Sequence, residues 1–280
     1  MTTTSGKRER YRRLHAAGCF VLPNPWDVGT ARYLQHLGFE ALATTSAGAA
    51  FGMGLPDGAV PRDAMLAHIR AIAEACDVPV NADFESGHAR DAEGVAENVR
   101  RCVETGVAGI SIEDSTGDEA DPLYALETAV ARIRAARAAI EQSGADVVLT
   151  GRAECFLVGR RDLDEVIRRL VAYADAGADC LYAPGIATRA EVEAVVRAVA
   201  PKPVNVLVST PNGLPVKELA GLGVRRVSLG SALARAAWGG FLRAARGIAE
   251  AGRFDALAEA APFAELNGFF VEDAARRGST

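Results

Sequence analysis

The segment VPVNADFESGHA, residues 78–89, decides how the rest of the chain is interpreted. It begins as a buried β-strand, Val-Pro-Val, and then places Asp83 and Glu85 two residues apart, followed by Gly87. Residues i and i+2 of a strand point to the same face, so we expect the two carboxylates side by side at the strand end. In α/β folds the chemistry lies where strands end and the following loops begin, so two carboxylates at a strand end are candidate site residues.

The same unit, a short apolar run followed by an amphipathic helical stretch, occurs eight times along the chain. Five helical stretches end at a glycine just before the next run, in HLG, ETG, QSG, DAG and GLG. Nearly continuous apolar strands indicate a parallel sheet covered by helices, and eight units favour a (β/α)8 TIM-type barrel over the alternative, an open doubly wound sheet. The predicted strands are CFVLP (19–23), EALATTS (40–46), VPVNADF (78–84), AGISIED (108–114), DVVLTGR (146–152), ADCLYAP (178–184), KPVNVLV (202–208) and RRVSLG (225–230).

The composition of the 280-residue chain limits the classes of function. Hydrophobic residues make up 49% and charged residues 24%, which supports a large buried core. The net charge of −5 argues against a nucleic-acid partner, and no apolar run is long enough to span a membrane. The five cysteines are scattered without CxxC spacing, so we expect neither disulfides nor a zinc site and place the protein in a reducing cytoplasm.

Carboxylates end two neighbouring strands of the predicted barrel. Asp83 and Glu85 follow the third strand, and Glu113-Asp114 ends the fourth. Neighbouring strands lie about 4.8 Å apart, so Asp83, Glu85 and Glu113 can converge, and they would raise each other's pKa unless a cation joined them. Oxygen ligands without clustered His or Cys predict Mg2+ or Mn2+ as the cofactor. The alternative is that these acids cap the following helices or lie in solvated loops, and Asp114 fits either description.

Other strand ends supply groups that can bind an anion. The fifth strand ends in TGR (150–152), and the guanidinium of Arg152 can bind a carboxylate through two hydrogen bonds. Its alternative is an ion pair at the barrel rim with Glu154 or Glu113. The second strand leads into Ser46-Ala47-Gly48, a turn that offers a hydroxyl and backbone N–H groups. After the eighth strand, Gly230-Ser231 opens a helix that can hold a phosphate or serve the fold alone.

Six motifs lie between about Pro23 and Ala236: TTSAG (44–48), LPD (55–57), NADFESG (81–87), GVAGISIED (106–114), LTGRAECFLVGRRDLDEVIRRLVAYADAGADCLY (149–182) and PVNVLV (203–208). They resemble, in order, those of the isocitrate lyase/phosphoenolpyruvate mutase superfamily. These enzymes use a (β/α)8 barrel and Mg2+ to make or break C–C or P–C bonds of 2-oxo or 2-hydroxy acids through an enolate-like intermediate. The resemblance therefore implies this fold, this cofactor and a small 2-oxo or 2-hydroxy acid as the partner.

The resemblance also implies roles for individual residues. The matching positions are Asp83, Glu85 and Glu113 for the metal, Ser46, Ala47 and Gly48 for the substrate carboxylate or oxyanion, Asp57 for the acid of a mobile segment beside the site, and Arg152 for substrate binding. Asp57 and Arg152 are the predicted catalytic residues. A divalent ion and an arginine would both stabilise negative charge that develops on an enolate oxygen.

The chain also departs from the superfamily pattern where a proton donor is expected. Isocitrate and methylisocitrate lyases resemble one another in a loop after the fourth strand whose cysteine acts as the acid, whereas this loop reads STGDEADPLYALE (115–127). Phosphonopyruvate mutases carry an asparagine in this loop and a histidine after the sixth strand, but here that strand ends YAPG (182–185). The glutamate that the lyases have near that point is missing too, which indicates a divergent branch.

Three functions remain open on the sequence. The first is an Mg2+-dependent lyase or decarboxylase that cleaves a small 2-oxo or 2-hydroxy dicarboxylic acid, with Asp57, His88, Tyr124 or a metal-bound water as the acid. The second is a hydrolase or mutase of a phosphonate P–C bond, for example in phosphonopyruvate. The third is a 2-oxo acid binding protein without catalysis.

The chain continues for about fifty residues after the eighth strand, more than the one helix that completes a barrel. We assign residues 1–280 to a single barrel domain with 232–280 as a C-terminal helical extension. This extension carries several large apolar residues, among them Phe254, Phe263 and Phe270, whose burial would be favourable. They can pack on their own barrel. Related enzymes exchange a C-terminal helix between subunits, however, and the resemblance implies a helix-swapped homo-oligomer, a dimer of dimers.

Overall fold

Eight parallel strands form one sheet in the computed structural model, which describes residues 2–278. The strands are β1 (Phe20–Leu22), β2 (Leu42–Ala43), β3 (Val80–Asp83), β4 (Gly109–Glu113), β5 (Val148–Arg152), β6 (Cys180–Tyr182), β7 (Val204–Leu207) and β8 (Arg226–Ser228). Each strand lies within its predicted run and is shorter than that run. The strand order is β1-β8-β7-β6-β5-β4-β3-β2, so the first strand pairs with the last.

The sheet curls into a nearly closed barrel. The remaining gap lies between β1 and β2, where the N–H of Ala43 donates to the carbonyl of Pro23 at 3.0 Å. Because β1 and β8 pair in register through Phe20 and Arg226, the sheet lacks the topology of an open doubly wound fold. The predicted (β/α)8 barrel is therefore confirmed, and the open-sheet alternative is wrong.

Helices alternate with the strands and cover the outside of the barrel. The helices of residues 2–231 are α1 (Thr4–Ala16), α2 (Val28–His36), α3 (Ser46–Gly52), α4 (Arg62–Ala75), α5 (Ala92–Val103), α6 (Leu126–Gln142), α7 (Leu163–Asp175), α8 (Arg189–Val199) and α9 (Val216–Gly221). The five glycines predicted to end helices (38, 106, 144, 177 and 223) all have φ between +67° and +103°. This left-handed conformation terminates a helix and is strained for residues with a Cβ atom.

Successive side chains along a strand point alternately into the barrel and towards the surrounding helices. Val80 and Ala82 of β3 are fully buried and point away from the cavity inside the barrel, whereas Asn81 and Asp83 line that cavity. The same alternation puts polar or charged residues on the inner faces of β4, β7 and β8 as well: Ser111, Asn205, Arg226 and Ser228. The barrel interior is thus lined largely by polar groups, and the apolar core lies between the strands and the helices.

Residues 232–278 form a second compact unit. It contains α10 (Ala232–Ala251), a 3-10 helix (Asp255–Glu259) and α11 (Phe263–Gly278). Large apolar side chains of this unit are exposed, among them Phe254 at 64% and Phe263 at 83%. The assignment of one domain to residues 1–280 and the exchange of helices between subunits stay predictions. Within residues 2–278, none of the helices combines the length and the apolar character needed to cross a membrane.

Candidate active site

Arg152, the last residue of β5, lies at the centre of a cluster of carboxylates at the barrel mouth. Its Nη1 atom is 3.1 Å from Asp83 Oδ1 and 3.3 Å from Glu113 Oε2, and its Nε donates to Glu154. The guanidinium also lies 5.1 Å from the ring centre of Tyr182. Burial opposes the charge of Arg152, but the carboxylates of Glu154 and Glu113 raise its pKa well above the ordinary value. The arginine is therefore a permanent cation shared by three acids.

Asp83 joins this cluster to the loop that follows β2. Its second oxygen accepts the backbone N–H of Ser46 at 3.0 Å, and the Ser46 hydroxyl is hydrogen-bonded to Asp57. Burial, followed by the charge of Asp83, raises the pKa of Asp57. The predicted catalytic acid, the predicted substrate-binding serine and one predicted metal ligand therefore lie together.

The predicted anion-binding turn, Ser46-Ala47-Gly48, is the first turn of α3. Thr45 is its N-cap and accepts the N–H of Gly48 through its hydroxyl at 3.2 Å. Since the N–H of Ser46 is also donated within the protein, two of the three expected anion donors already have acceptors. Helix geometry supplies no backbone acceptor for the Ala47 N–H. Ser46 and Ala47 line the cavity inside the barrel, whereas Gly48 is buried beneath them.

The backbone at Glu85 is not extended, as the strand rule requires. Strand β3 ends at Asp83, and Glu85 has a φ of +48°, which turns the chain into the left-handed region. His88 has a φ of +51°, and its Nε2 lies 3.4 Å from Glu85 Oε2. The other oxygen of Glu85 is buried and has no hydrogen-bond partner. Burial, helped by Asp83 and Asp57, raises the pKa of Glu85 to about 7.

Two side chains from the outer helices hold this left-handed loop. Asn98 on α5 donates to the carbonyls of residues 87 and 88 at 2.9 and 3.0 Å. Arg132 on α6 donates to the carbonyls of residues 89 and 90, both at 2.8 Å, and of residue 86. Arg132 is 1% exposed, and its guanidinium stacks 4.2 Å from the ring centre of Tyr124. All five carbonyls from residue 86 to residue 90 therefore have side-chain donors, and we call this arrangement the carbonyl clamp.

The carboxylates of the mouth fit a hard divalent cation by their chemistry. All are oxygen donors, as Mg2+ and Mn2+ prefer, and the buried, unpartnered oxygen of Glu85 needs a positive or donating group. One cationic nitrogen already bridges Asp83 and Glu113. In their present positions, no three His, Cys, Asp or Glu side chains between residues 2 and 278 are arranged around a common metal position. Here the carboxylates surround the guanidinium of Arg152.

Asp114, next to Glu113, has a structural role. It is 2% exposed, and one of its oxygens accepts the backbone N–H of Glu154 at 2.8 Å. The other accepts the hydroxyl of Tyr173 at 2.6 Å and Arg169 at 2.9 Å. This carboxylate therefore ties β4 to α7 rather than facing the mouth.

The turn at Gly230-Ser231 already has a hydrogen-bond acceptor from within the protein. The side-chain oxygen of Asn24 accepts the backbone N–H groups of Leu229 and Gly230 at 3.0 and 2.9 Å. An amide oxygen therefore occupies the position that a phosphate oxygen would take, which favours the structural explanation for this turn.

Two cavities meet at Arg152. The inner cavity, of about 170 Å³, lies inside the barrel and is lined by Asp83, Tyr182 and Arg226 among others. The outer cavity, of about 510 Å³, opens at the mouth. It is lined by the candidate proton donors Asp57, His88 and Tyr124 and by the predicted metal ligands Glu85 and Glu113. Arg152, Asp57, Ser46 and Leu157 contact both cavities. A small molecule at Arg152 would therefore touch acids on one side and hydroxyl and amide groups on the other.

Comparison with known families identifies the chain. A family model described as phosphoenolpyruvate phosphomutase matches residues 11–249. The chain belongs to the phosphoenolpyruvate phosphomutase family. This membership confirms the isocitrate lyase/phosphoenolpyruvate mutase superfamily expected from the motifs, and with it the expectation of an enzyme of a lyase and mutase superfamily.

Three similar proteins show the range of this family. An uncharacterized protein of Mycobacterium tuberculosis is 33% identical over 274 residues, which cover 96% of this chain and 99% of the relative. An oxaloacetate decarboxylase of Bradyrhizobium diazoefficiens is 32% identical over 204 residues, which cover 69% and 68%. The crystal structure of a candidate lyase/mutase from Burkholderia cenocepacia J2315 matches with a TM-score of 0.92 and 51% identity, covering 96% of this chain and 97% of that one.

For this member of the phosphoenolpyruvate phosphomutase family, the structure adds site residues that sequence reasoning missed. Glu154 was considered only as a rim partner of Arg152, yet it lies in the carboxylate cluster and lines the outer cavity. Its spacing of two from Arg152 was a usable signal. From the sequence, Tyr182 at the end of β6 stood out only as part of the YAPG segment, which lacks the histidine of the mutases. Arg132 gave no signal, because an arginine on an amphipathic helix is normally solvated.

Proposed function

We propose that this protein is a Mg2+- or Mn2+-dependent lyase or decarboxylase that cleaves a small 2-oxo or 2-hydroxy mono- or dicarboxylic acid. The observation that carries the proposal is the contact of Asp83 and Glu113 with Arg152 at the barrel mouth of a phosphoenolpyruvate phosphomutase family member, with Glu85 in the lining of the same outer cavity as Arg152. The oxaloacetate decarboxylase among the relatives supports this class of substrate.

The residues of the chain have separate tasks in this proposal. Asp83, Glu85 and Glu113 would hold the divalent ion, which supplies a Lewis acid for a substrate carbonyl oxygen. Arg152 would bind the substrate carboxylate through its fork and stabilise negative charge on the enolate. Ser46 orients Asp57 through its hydroxyl and Asp83 through its N–H.

The test is a panel of 2-oxo and 2-hydroxy acids, including oxaloacetate, with Mg2+ and NMR detection of new products. Asp83→Ala should abolish turnover and Mn2+ binding by calorimetry while the protein stays folded. Asp77→Ala is the matched control, because Asp77 lies just before the same strand and contacts Gln35 on the outside. Unchanged Mn2+ affinity in Asp83→Ala would remove the metal assignment, and tight binding of 2-oxo acids without turnover would select a binding protein.

A second candidate is cleavage of a phosphonate P–C bond, favoured by the family model that matches most of the chain. Release of inorganic phosphate from phosphonopyruvate would separate it from C–C cleavage.

We also propose a reducing cytoplasm as the location, because all five cysteines are free and four of them are buried.

A further inference from the structure

Tyr182 lines the inner cavity but has no role in the proposed function as stated above. It ends β6 and is paired in register with Arg152 of β5, and both residues line the inner cavity. The ring is 7% exposed and faces the guanidinium. A phenol held beside the arginine that is proposed to bind substrate is within the region where the reacting atoms would lie.

A chain of hydrogen bonds leads to this phenol from the floor of the barrel. Arg226 Nε donates to Asn205 Oδ1 at 2.9 Å, and Asn205 Nδ2 donates to Ser228 Oγ at 2.9 Å. The orientation of the amide is fixed, because an arginine can only donate. Ser228 Oγ accepts from Asn205, so its own proton points onward, and Ser228 interacts with the phenol oxygen of Tyr182.

The hydrogen bonds of this series run in one direction, from Arg226 towards Tyr182. Each donor in it is polarised by the positive charge of Arg226, which is 2% exposed and has neutral hydrogen-bond partners: Asn205, Tyr11, His15 and Thr150. If Ser228 donates to the phenol oxygen, the Tyr182 proton is left for an acceptor in the cavity. Burial raises the pKa of Tyr182 to about 12, so the proton is present throughout the neutral range.

We propose that Tyr182 is the general acid that protonates the enolate carbon in the proposed lyase or decarboxylase reaction. In the decarboxylation of a 2-oxo acid, the C–C bond to the departing carboxylate breaks, its electron pair passes into the enolate, and the carboxylate leaves as CO2. The enolate then takes the Tyr182 proton: a C–H bond forms, the O–H bond breaks, and a phenolate remains beside Arg152 and Ser228. Solvent returns the proton. This inference rests on the proposed function, and it fills the place of the donor that the loop after β4 lacks.

The test compares Tyr182→Phe with the wild type, using the substrate found in the acid panel for turnover and oxalate for binding. Oxalate is the probe because it has the charge and shape of the pyruvate enolate. Phenylalanine keeps the ring beside Arg152, so the fold should survive. We expect kcat to fall by roughly 10²–10⁴, the usual range for loss of a general acid, while KM changes less than threefold. We also expect oxalate to bind about tenfold more weakly, because one hydroxyl donor is lost.

Two further variants make the result specific. Tyr33→Phe removes a hydroxyl on α2, outside both cavities, and should leave kcat and oxalate affinity unchanged. Tyr124→Phe tests the rival phenol of the outer cavity, and a large loss of kcat there but not in Tyr182→Phe would overturn the inference.

The outcomes separate this inference from the proposed function. An active wild type with unchanged kcat in Tyr182→Phe refutes the acid and leaves the lyase standing. A wild type that turns over no acid of the panel, yet loses oxalate affinity on Tyr182→Phe, refutes the lyase but supports a phenol that donates into the cavity. Oxalate binding that is absent, or equal in both proteins, overturns the inference.

Discussion

The carbonyl clamp makes a strong prediction about how the left-handed loop 85–90 is held. Arg132→Met keeps most of the side-chain length but removes three hydrogen bonds to the carbonyls of residues 86, 89 and 90. Hydrogen bonds to a charged group contribute roughly 1.5–3 kcal/mol each, so an upper bound is about 4.5–9 kcal/mol. Loss of the buried guanidinium recovers part of that in desolvation, and we expect about 3–5 kcal/mol less stability for the closed loop.

The expected loss appears first as local opening. Non-glycine residues in the left-handed region cost about 1–3 kcal/mol each, and Glu85 and His88 both lie there, so the loop persists only while its surroundings hold it. Hydrogen exchange of residues 84–91 should accelerate by roughly a hundredfold or more, since each 1.4 kcal/mol is a factor of ten. Mn2+ affinity should fall with it, because Glu85 is one of the proposed ligands.

The matched control is Arg137→Met on the same helix. Arg137 donates to the carbonyl of Gly177 at 3.1 Å and pairs with Asp179 at 2.6 Å, which places it away from loop 85–90. Both variants should lower the denaturant midpoint, but only Arg132→Met should change exchange in residues 84–91. A folded Arg132→Met protein with wild-type exchange in that segment and wild-type Mn2+ affinity would refute the clamp.

Three further predictions concern other parts of the chain. Arg152→Lys keeps the charge but loses the fork, so substrate binding, measured by calorimetry, should weaken by about 1.5–3 kcal/mol, and wild-type affinity would leave Arg152 a rim ion pair. His15 accepts from Arg226 and donates to Tyr11, and its burial lowers its pKa to about 3. The unfolded chain therefore binds a proton below pH 6.5 that the folded protein does not. Between pH 6.5 and 4.5 the wild type should lose about 2.3 kcal/mol of unfolding free energy more than His15→Gln, and equal losses in urea titrations would contradict this. Residues 232–270 are proposed to form the interface of a dimer of dimers, so deletion from Phe254 onward should give smaller or aggregated species in light scattering, and a wild type that is monomeric at micromolar concentration would exclude it.

Much of the fold follows from local chemistry that the sequence displays. Helix-ending glycines and short apolar runs give the eight units, and the carboxyl ends of parallel strands meet at one edge. For this reason Asp83 on β3 and Glu113 on β4 were expected together, and both contact Arg152. The metal that they are proposed to bind stays a prediction, because the argument for it depends on charge and not on a measured ion.

The errors of sequence reasoning arise where the strand geometry stops. The i, i+2 rule placed Glu85 beside Asp83, but it holds only while the backbone stays extended, and β3 ends at Asp83. The carbonyl clamp depends on pairings that a single sequence does not display: Asn98 reaches the loop across 10 and 11 residues of chain, and Arg132 across 42 to 46. The polar interior was also hidden, because runs such as VNVL look apolar although the one polar residue, Asn205, points inward.

The distribution of charge around Arg152 constrains how an acidic substrate would enter. The acids at the mouth outnumber the cations there: Asp57, Asp83, Glu85, Glu113 and Glu154 stand against the guanidinium groups of Arg152 and Arg90, an imbalance that disfavours entry of a substrate carboxylate. A divalent cation on these acids would reverse the local sign and would also release the arginine fork from acids that it now contacts. Metal binding before substrate is therefore the order that the electrostatics favour. On this reasoning, oxalate binding should strengthen steeply with Mg2+ concentration, and oxalate affinity that is independent of Mg2+ would show that the acids do not control entry.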